Sequence, residues 1–174
     1  MSVLSPGQQA AHERILAVLD EAGADYKRFT HRILRNYEDA ELARQESGFS
    51  GTESKSMVLK SGDALFVYVT LAGRRVDFKA MRAAIGGPKP KLLKDDELRE
   101  RMGAEPGNAF PFGFEEAIPI YVDPDVYDEE WLLLSPAIPT ETIQMRGADL
   151  KRIFARIPNQ VTEVTTFNQP QPAE

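Results

Sequence analysis

Residues 55–71 read KSMVLKSGDALFVYVTL. Two apolar runs, 56–60 and 64–71, flank Ser61-Gly62-Asp63, and apolar runs around such a triplet predict a β-hairpin. The second run is apolar enough to be covered on both faces, which places it in the centre of a sheet.

Upstream of the hairpin, Ser5-Pro6 starts a helix, with Ser as cap and Pro in the first turn. Ile15, Leu16, Val18 and Leu19 form its apolar stripe, and Gly23 ends it. Residues 26–33 predict a strand, and Asn36 caps a short helix stopped by Gly48. Downstream, Asp77 caps a helix that runs to Ile85 and is closed by Gly86-Gly87-Pro88, and a further helix runs from Lys94-Asp95 to Met102. Residues 103–117, GAEPGNAFPFGFEEA, have neither helical nor strand period. Their glycines and prolines suit a surface loop while their phenylalanines want cover, so the segment predicts an ordered loop packed on the body and lining a pocket.

Strands follow at 118–122, 131–135 and 141–145, then a helix from Ala148 to Arg156. Helices and strands mix without regular βαβ alternation. The expected fold is therefore α+β, one domain over residues 1–160, with a mixed, mainly antiparallel sheet or partly closed barrel surrounded by helices. Residues 161–174 are expected to be a partly disordered tail.

Composition narrows the function. The chain has 174 residues, 42% hydrophobic and 28% charged, net −6, and no cysteine, so disulfides, zinc ribbons, iron–sulfur clusters and thiol nucleophiles are excluded. The start, MSVLSPGQQAAHERI, lacks the pattern of a signal peptide, and no stretch reaches the ~20 apolar residues of a membrane span. The expected location is the cytoplasm. His12 and His31 belong to no metal-binding pair, and both read as surface or structural residues. There is no G-x-S-x-G elbow, Walker loop or G-x-G-x-x-G, so no metal and no cofactor is expected.

The net charge hides an asymmetry. From Lys55 to Lys94 there are nine basic and two acidic residues, a local +7, against 12 basic and 25 acidic in the other 134. Either these cations scatter over a solvated surface, or they mark a face that meets phosphates.

Two further features bear on chemistry. Lys55 opens a strand, where it is either an exposed strand-end lysine or a single cation for a phosphate or oxyanion. Gly107-Asn108-Ala109-Phe110-Pro111, followed by Phe112-Gly113, is either a turn or a loop that presents fixed backbone groups to a substrate.

In their order and spacing these segments resemble the YbaK-like family of aminoacyl-tRNA deacylases, which includes the editing domain of bacterial prolyl-tRNA synthetase. The matching segments are the K-x-L-x-x-K-type strand at Lys55–Lys60, the apolar strand 64–71, Val76-Asp77-Phe78 at a helix start and the G-x-x-x-P loop Gly107–Pro111. Tyr121-Val122-Asp123, the strand Thr142–Met145 and the helix Ala148–Phe154 complete the pattern. It spans about residues 10–156.

The resemblance implies hydrolysis of the ester between a wrong amino acid and the 3′-terminal ribose of a tRNA. Such an activated ester can be cleaved by positioning and electrostatics alone, and discrimination by one methylene is worth only ~1–3 kcal/mol, so a second sieve is needed. By carry-over, Lys55 would hold the terminal phosphate or the developing negative charge, and Gly107 with the backbone to Pro111 would grip the aminoacyl group and place the water. The substrate's ribose hydroxyl would activate that water. Ser56, Met57, Asn108, Ala109, Phe110, Phe112, Gly113 and Thr142 would complete the substrate pocket. Lys60, Lys89 and Lys91 would meet the acceptor stem. The implied partners are a mischarged tRNA and an aminoacyl-tRNA synthetase, with no DNA.

The chain departs from members that clear alanine. Ser56 follows the lysine where they often have Asn, and residues 135–142 keep the Pro and Thr of their late segment but lose its His and Asn. Their amino-acid preference therefore does not transfer, and the bulk of Phe110 suggests a reshaped pocket. Two other readings stay open: a non-catalytic module that binds an RNA 3′ end or a synthetase, and a hydrolase of small esters or amides.

Overall fold

A computed structural model describes residues 3–171, apart from the side chain of Tyr37. The hairpin forms and is longer than its apolar run, with β2 at Thr52–Ser61 and β3 at Ala64–Leu71 in antiparallel register from Ser54↔Leu71 to Ser61↔Ala64. Before it come helix α1 (Pro6–Glu21), β1 (Tyr26–Thr30) and α2 (Tyr37–Ser47). After it come α3 (Phe78–Ile85), β4 (Lys91–Leu92), α4 (Asp95–Met102), β5 (Ile120–Val122), a 3-10 turn (Pro124–Asp128), β6 (Leu132–Leu134), β7 (Glu141–Met145), α5 (Gly147–Phe154) and β8 (Val161–Glu163).

The helix starts follow from their caps. Ser5 and Gln8 exchange side-chain and backbone bonds at the start of α1. Asn36 accepts from the Asp39 N–H at 2.8 Å, and Asp77 accepts from the Ala80 N–H at 2.9 Å. Gly48, at φ 74°, closes α2 in the left-handed conformation that a side chain resists.

The strands join in the order β1-β7-β6-β2-β3-β5-β8, with β4 against β2. β1·β7, β6·β7, β2·β3 and β2·β4 are antiparallel, whereas β2·β6, β3·β5 and β5·β8 are parallel. The sheet is mixed and open, with β1 and β8 as its ends, so it is not a closed barrel. As its sequence predicts, β3 is central, and Phe66 to Leu71 are all buried.

β2 is where the sheet divides. It pairs β6 at Thr52 and Glu53 and β4 at Leu59 and Lys60. The Val58 carbonyl also accepts from the Leu93 N–H at 3.1 Å, so between those pairings the outer edge of residues 54–57 meets no strand among the described residues. One face of β2 and β3 carries Val58, Val67 and Val69 into the main core with Ile15, Leu19, Leu132 and Ile143. The other face carries Leu59, Phe66 and Tyr68 into a second cluster with Met81 and Phe167.

Part of the segment expected as a tail packs onto the body. Val161–Glu163 add β8 to the free edge of β5, and Phe167 is fully buried with its ring 5.3 Å from that of Tyr68. The Phe167 carbonyl also accepts from the Asp77 N–H at 2.7 Å. An available strand edge and an apolar recess order the segment as far as residue 171; the last three residues of the expected tail lie outside the described residues. Three strands are shorter than expected: β1 ends at Thr30 rather than residue 33, β5 begins at Ile120 rather than residue 118, and β6 spans Leu132–Leu134 rather than 131–135.

Candidate active site

Glu105-Pro106-Gly107-Asn108 closes on itself, with the Asn108 N–H donating to the Glu105 carbonyl at 2.9 Å. Gly107 sits at φ 85°, which with Pro106 before it fits a type II turn. A Cβ on Gly107 would meet nothing within 4 Å, so conformation rather than crowding demands glycine. The rest of the loop is pinned to the body. Phe110 and Phe112 are 1% and 0% exposed in the main core, Phe110 stacks on Phe114 at 5.2 Å, and the Gly113 carbonyl accepts from Arg14 Nε at 2.8 Å. At Gly113, φ 88°, a Cβ would lie 2.8 Å from the Ile15 side chain, so α1 can pack here only against glycine.

Gly107 and Asn108 border a cavity of about 230 Å³. That is smaller than the ~300–1,000 Å³ that enclose a drug-sized ligand, and it suits one end of a larger molecule. Ser54 and Glu53 of β2, Leu133 and Ser135 at the end of β6, and Glu141 and Thr142 of β7 form its walls, and His31 stands beside Thr142. The segment between β6 and β7 contributes Ile138 and Pro139. It includes Ala137, which is fully buried at φ 72°, a conformation that costs an L-residue ~1–2 kcal/mol.

The polar side chains of the wall are already committed. Ser54 Oγ donates to the Leu133 carbonyl at 2.8 Å, Ser135 Oγ to Asn108 Oδ1 at 3.4 Å, and Thr142 Oγ1 lies 2.8 Å from His31 Nε2. Glu141 is 8% exposed and takes a forked bond from Arg28 at 2.7 and 3.1 Å; Glu53 faces Arg44 at 3.1 Å. The wall therefore offers acceptor oxygens with little net charge.

Lys55 lies elsewhere. Neighbouring residues on a strand face opposite ways, and Lys55 shares the face of Met57 and Leu59. Its Nζ donates to the Arg74 carbonyl at 2.9 Å, and burial lowers its pKa from the usual lysine value. Arg74 in turn reaches Asp123, which is buried and also accepts from Thr70 at 2.7 Å and Asn168 at 2.9 Å.

A family model described as the aminoacyl-tRNA editing domain matches residues 34–153. The chain belongs to that family. Editing here is hydrolysis of the ester that joins an amino acid to its tRNA, so the protein is a deacylase. Among curated relatives it is 24% identical over 147 residues to the Multifunctional Ser/Thr-tRNA deacylase ProXp-y of Escherichia coli (strain K12), covering 82% of this chain and 87% of the relative. Its fold matches a crystal structure assigned as a trans-editing enzyme for prolyl-tRNA synthetase, with a TM-score of 0.72 at 20% identity over 97% of this chain and 100% of the other. A second structure, of a hypothetical protein, gives 0.70 at 13% identity over 90% and 99%.

Of the site residues that the resemblance implies, the structure brings Gly107, Asn108 and Thr142 to one cavity. It does not bring Lys55, Ser56 or Met57 into the cavity wall. Ser56 is half-buried on the Ser54 face, and Met57 packs on the second cluster. Ala109, Phe110, Pro111, Phe112 and Gly113 anchor the loop rather than line the cavity, because aromatic rings in a glycine-rich segment bury themselves in the nearest core. Phe110 therefore does not narrow the pocket. Lys60 is held by Glu97, whose two oxygens both lie 2.7 Å from Nζ. Lys89 is exposed beside Phe78, Lys79 and Arg82, and Lys91 is exposed on β4 opposite Lys60.

Sequence reasoning missed His31, Glu53, Ser54, Ser135 and Glu141. His31 and Thr142 are 111 residues apart and meet only through the β1·β7 register, which neither segment reveals alone. Among the described residues no three His, Asp or Glu side chains converge as metal ligands, and no helix is long and apolar enough to cross a membrane.

Proposed function

We propose that the protein acts in trans, as a free-standing cytoplasmic deacylase, on tRNA mischarged with a small hydroxylated amino acid, working beside a synthetase that makes the error. The observation that carries the reading is the cavity at Gly107, which is of aminoacyl size and walled by acceptor oxygens. An α-ammonium group and a side-chain hydroxyl are both donors, so such a wall suits them and repels a phosphate. The Ser/Thr specificity named for ProXp-y points the same way.

In this reading the aminoacyl group enters the cavity with its ester carbonyl toward the turn Pro106–Asn108. The Asn108 amide group makes no hydrogen bond through Nδ2 to the described residues and is the candidate donor to that carbonyl, whose developing charge a positioned donor stabilises. The terminal nucleotide lies across the open edge of β2 at residues 54–57. From there Lys55 on the other face can exchange its bond to the Arg74 carbonyl for one to the phosphate. The vicinal ribose hydroxyl of the substrate orients the water. Lys89, with Lys79 and Arg82, supplies phosphate contacts for the acceptor stem.

The test is a panel of tRNAs charged with Ser, Thr, Ala, Cys or Pro, with deacylation followed by loss of the labelled amino acid. The expected result is fastest turnover of seryl- and threonyl-tRNA, with at least tenfold slower turnover of the others. Tight, salt-sensitive RNA binding without turnover of any of them would replace this reading with a binding module. Equal turnover of free amino-acid esters would replace it with a small-ester hydrolase.

A further inference from the structure

His31 stands at the end of β1, where its N–H donates to the Thr140 carbonyl at 2.8 Å and its ring packs 5.8 Å from that of Phe49. Its Nδ1 lies 2.7 Å from the Arg32 carbonyl. A carbonyl only accepts, so Nδ1 carries a proton. The neutral ring then has a bare Nε2, and the group 2.8 Å away, the Thr142 hydroxyl, must donate to it. The Thr142 proton is thereby committed to the back of the cavity, and Oγ1 turns only lone pairs toward the space in front of it.

We propose that His31 is a specificity-determining residue: by fixing the Thr142 hydroxyl as an acceptor, it makes the cavity select aminoacyl groups whose side chain carries a hydroxyl. A site built around a fixed acceptor loses a hydrogen bond when the ligand lacks the donor, and that loss discriminates far better than a methyl group does. Without His31 the Thr142 hydroxyl can rotate, satisfy itself elsewhere and accept either ligand. Ser54 and Ser135 are held as acceptors by the Leu133 carbonyl and by Asn108, so Thr142 is the wall hydroxyl whose polarity depends on another side chain's tautomer. His31 acts through Thr142 and touches no reacting atom, so it is a positioning residue. The inference rests on the proposed reading of the cavity as the aminoacyl site.

The test compares kcat/KM for seryl-tRNA and alanyl-tRNA in wild type, His31→Phe, His31→Gln, Thr142→Val and the double variant His31→Phe/Thr142→Val. Phe keeps a ring against Phe49 but no acceptor, whereas the Gln carbonyl can reach the position of Nε2. The expected results are a fall of about tenfold or more in the seryl-to-alanyl ratio for His31→Phe, a ratio within about threefold of wild type for His31→Gln, and a fall for Thr142→Val that the double variant does not deepen. A His31→Phe protein that slows on both substrates alike with the ratio intact, or a His31→Gln protein that behaves like His31→Phe, overturns the inference and leaves the deacylase reading standing. A wild-type protein that hydrolyses neither ester overturns both. Thr142→Val with an unchanged ratio is itself contrary, and it serves if His31→Phe fails to fold.

Discussion

Ser54 and Lys55 are consecutive residues that commit to opposite sides of β2. Ser54 Oγ donates to the Leu133 carbonyl beside the cavity, and Lys55 Nζ donates to the Arg74 carbonyl on the far face. The cation of this editing domain is thus separated from the acceptor-lined wall by the strand itself. A substrate that uses both must straddle the edge of β2 left open between its pairings with β6 and β4.

Lys55 pays for its position in its titration. Burial lowers its pKa from the ordinary lysine value of about 10.4. Between the lowered value and about 10.4 the unfolded chain binds a proton that the folded chain has released, so stability rises with pH across that window, and below it the buried charge opposes folding in full. Chemical denaturation at stepped pH should show that rise in wild type and not in Lys55→Met. The variant should stay within about 1 kcal/mol of wild type at pH 7, since the charge-assisted bond it loses is offset by removal of the buried charge, while deacylation falls about 100-fold. Full activity in a folded Lys55→Met protein would remove the lysine from the mechanism.

Gly107 is held at φ 85° with open space around the missing Cβ. Gly107→Ala should therefore cost ~1–2 kcal/mol from the backbone alone. It should also slow deacylation at least tenfold by shifting the turn that borders the cavity, as thermal unfolding and single-turnover kinetics would show. An alanine variant with wild-type turnover would make this only a structural turn.

The basic segment divides by partner. Lys60 is occupied by Glu97, whereas Lys89 is exposed beside Lys79 and Arg82. Lys89→Ala should weaken tRNA binding and lower the slope of log K against log salt by about one; Lys60→Ala should leave the slope unchanged. Binding titrations at about 50–300 mM salt, where the Debye length falls from about 14 to about 6 Å, would show an equal response of the two if the charge acts diffusely.

Much of the architecture was legible because it is local. Caps at Ser5, Asn36 and Asp77, stops at Gly23 and Gly48, and the hairpin at Ser61-Gly62-Asp63 are each determined by a few adjacent residues. β4 and β8 were not legible, since neither stands in an apolar run of the kind that marks β5 and β6, and each forms where a neighbour offers an edge. The site divides in the same way. Gly107 and Asn108 announce themselves by turn chemistry, while His31 reaches Thr142 only through the pairing of β1 with β7. The charge run left scatter and a single phosphate-facing surface both open, and the fold divides it between Glu97, the Arg74 carbonyl and the exposed Lys89.

Phe167 extends the domain past the boundary that composition suggests. Its ring is fully buried beside Tyr68 and Tyr121, so Phe167→Ala should cost ~3–5 kcal/mol. A protein ending at residue 160 should lose its cooperative unfolding transition. Calorimetry would contradict this if the shortened chain melted as sharply and as high as the full one.

The most direct measurement of where the aminoacyl group goes uses a stable amide analogue of 3′-serylated adenosine, titrated into labelled protein and followed by backbone and methyl NMR. The predicted result is saturable shifts at Gly107, Asn108, Ser135 and Thr142. Saturable binding that shifts only residues remote from this cavity, with those four unmoved, would contradict the assignment of the aminoacyl site.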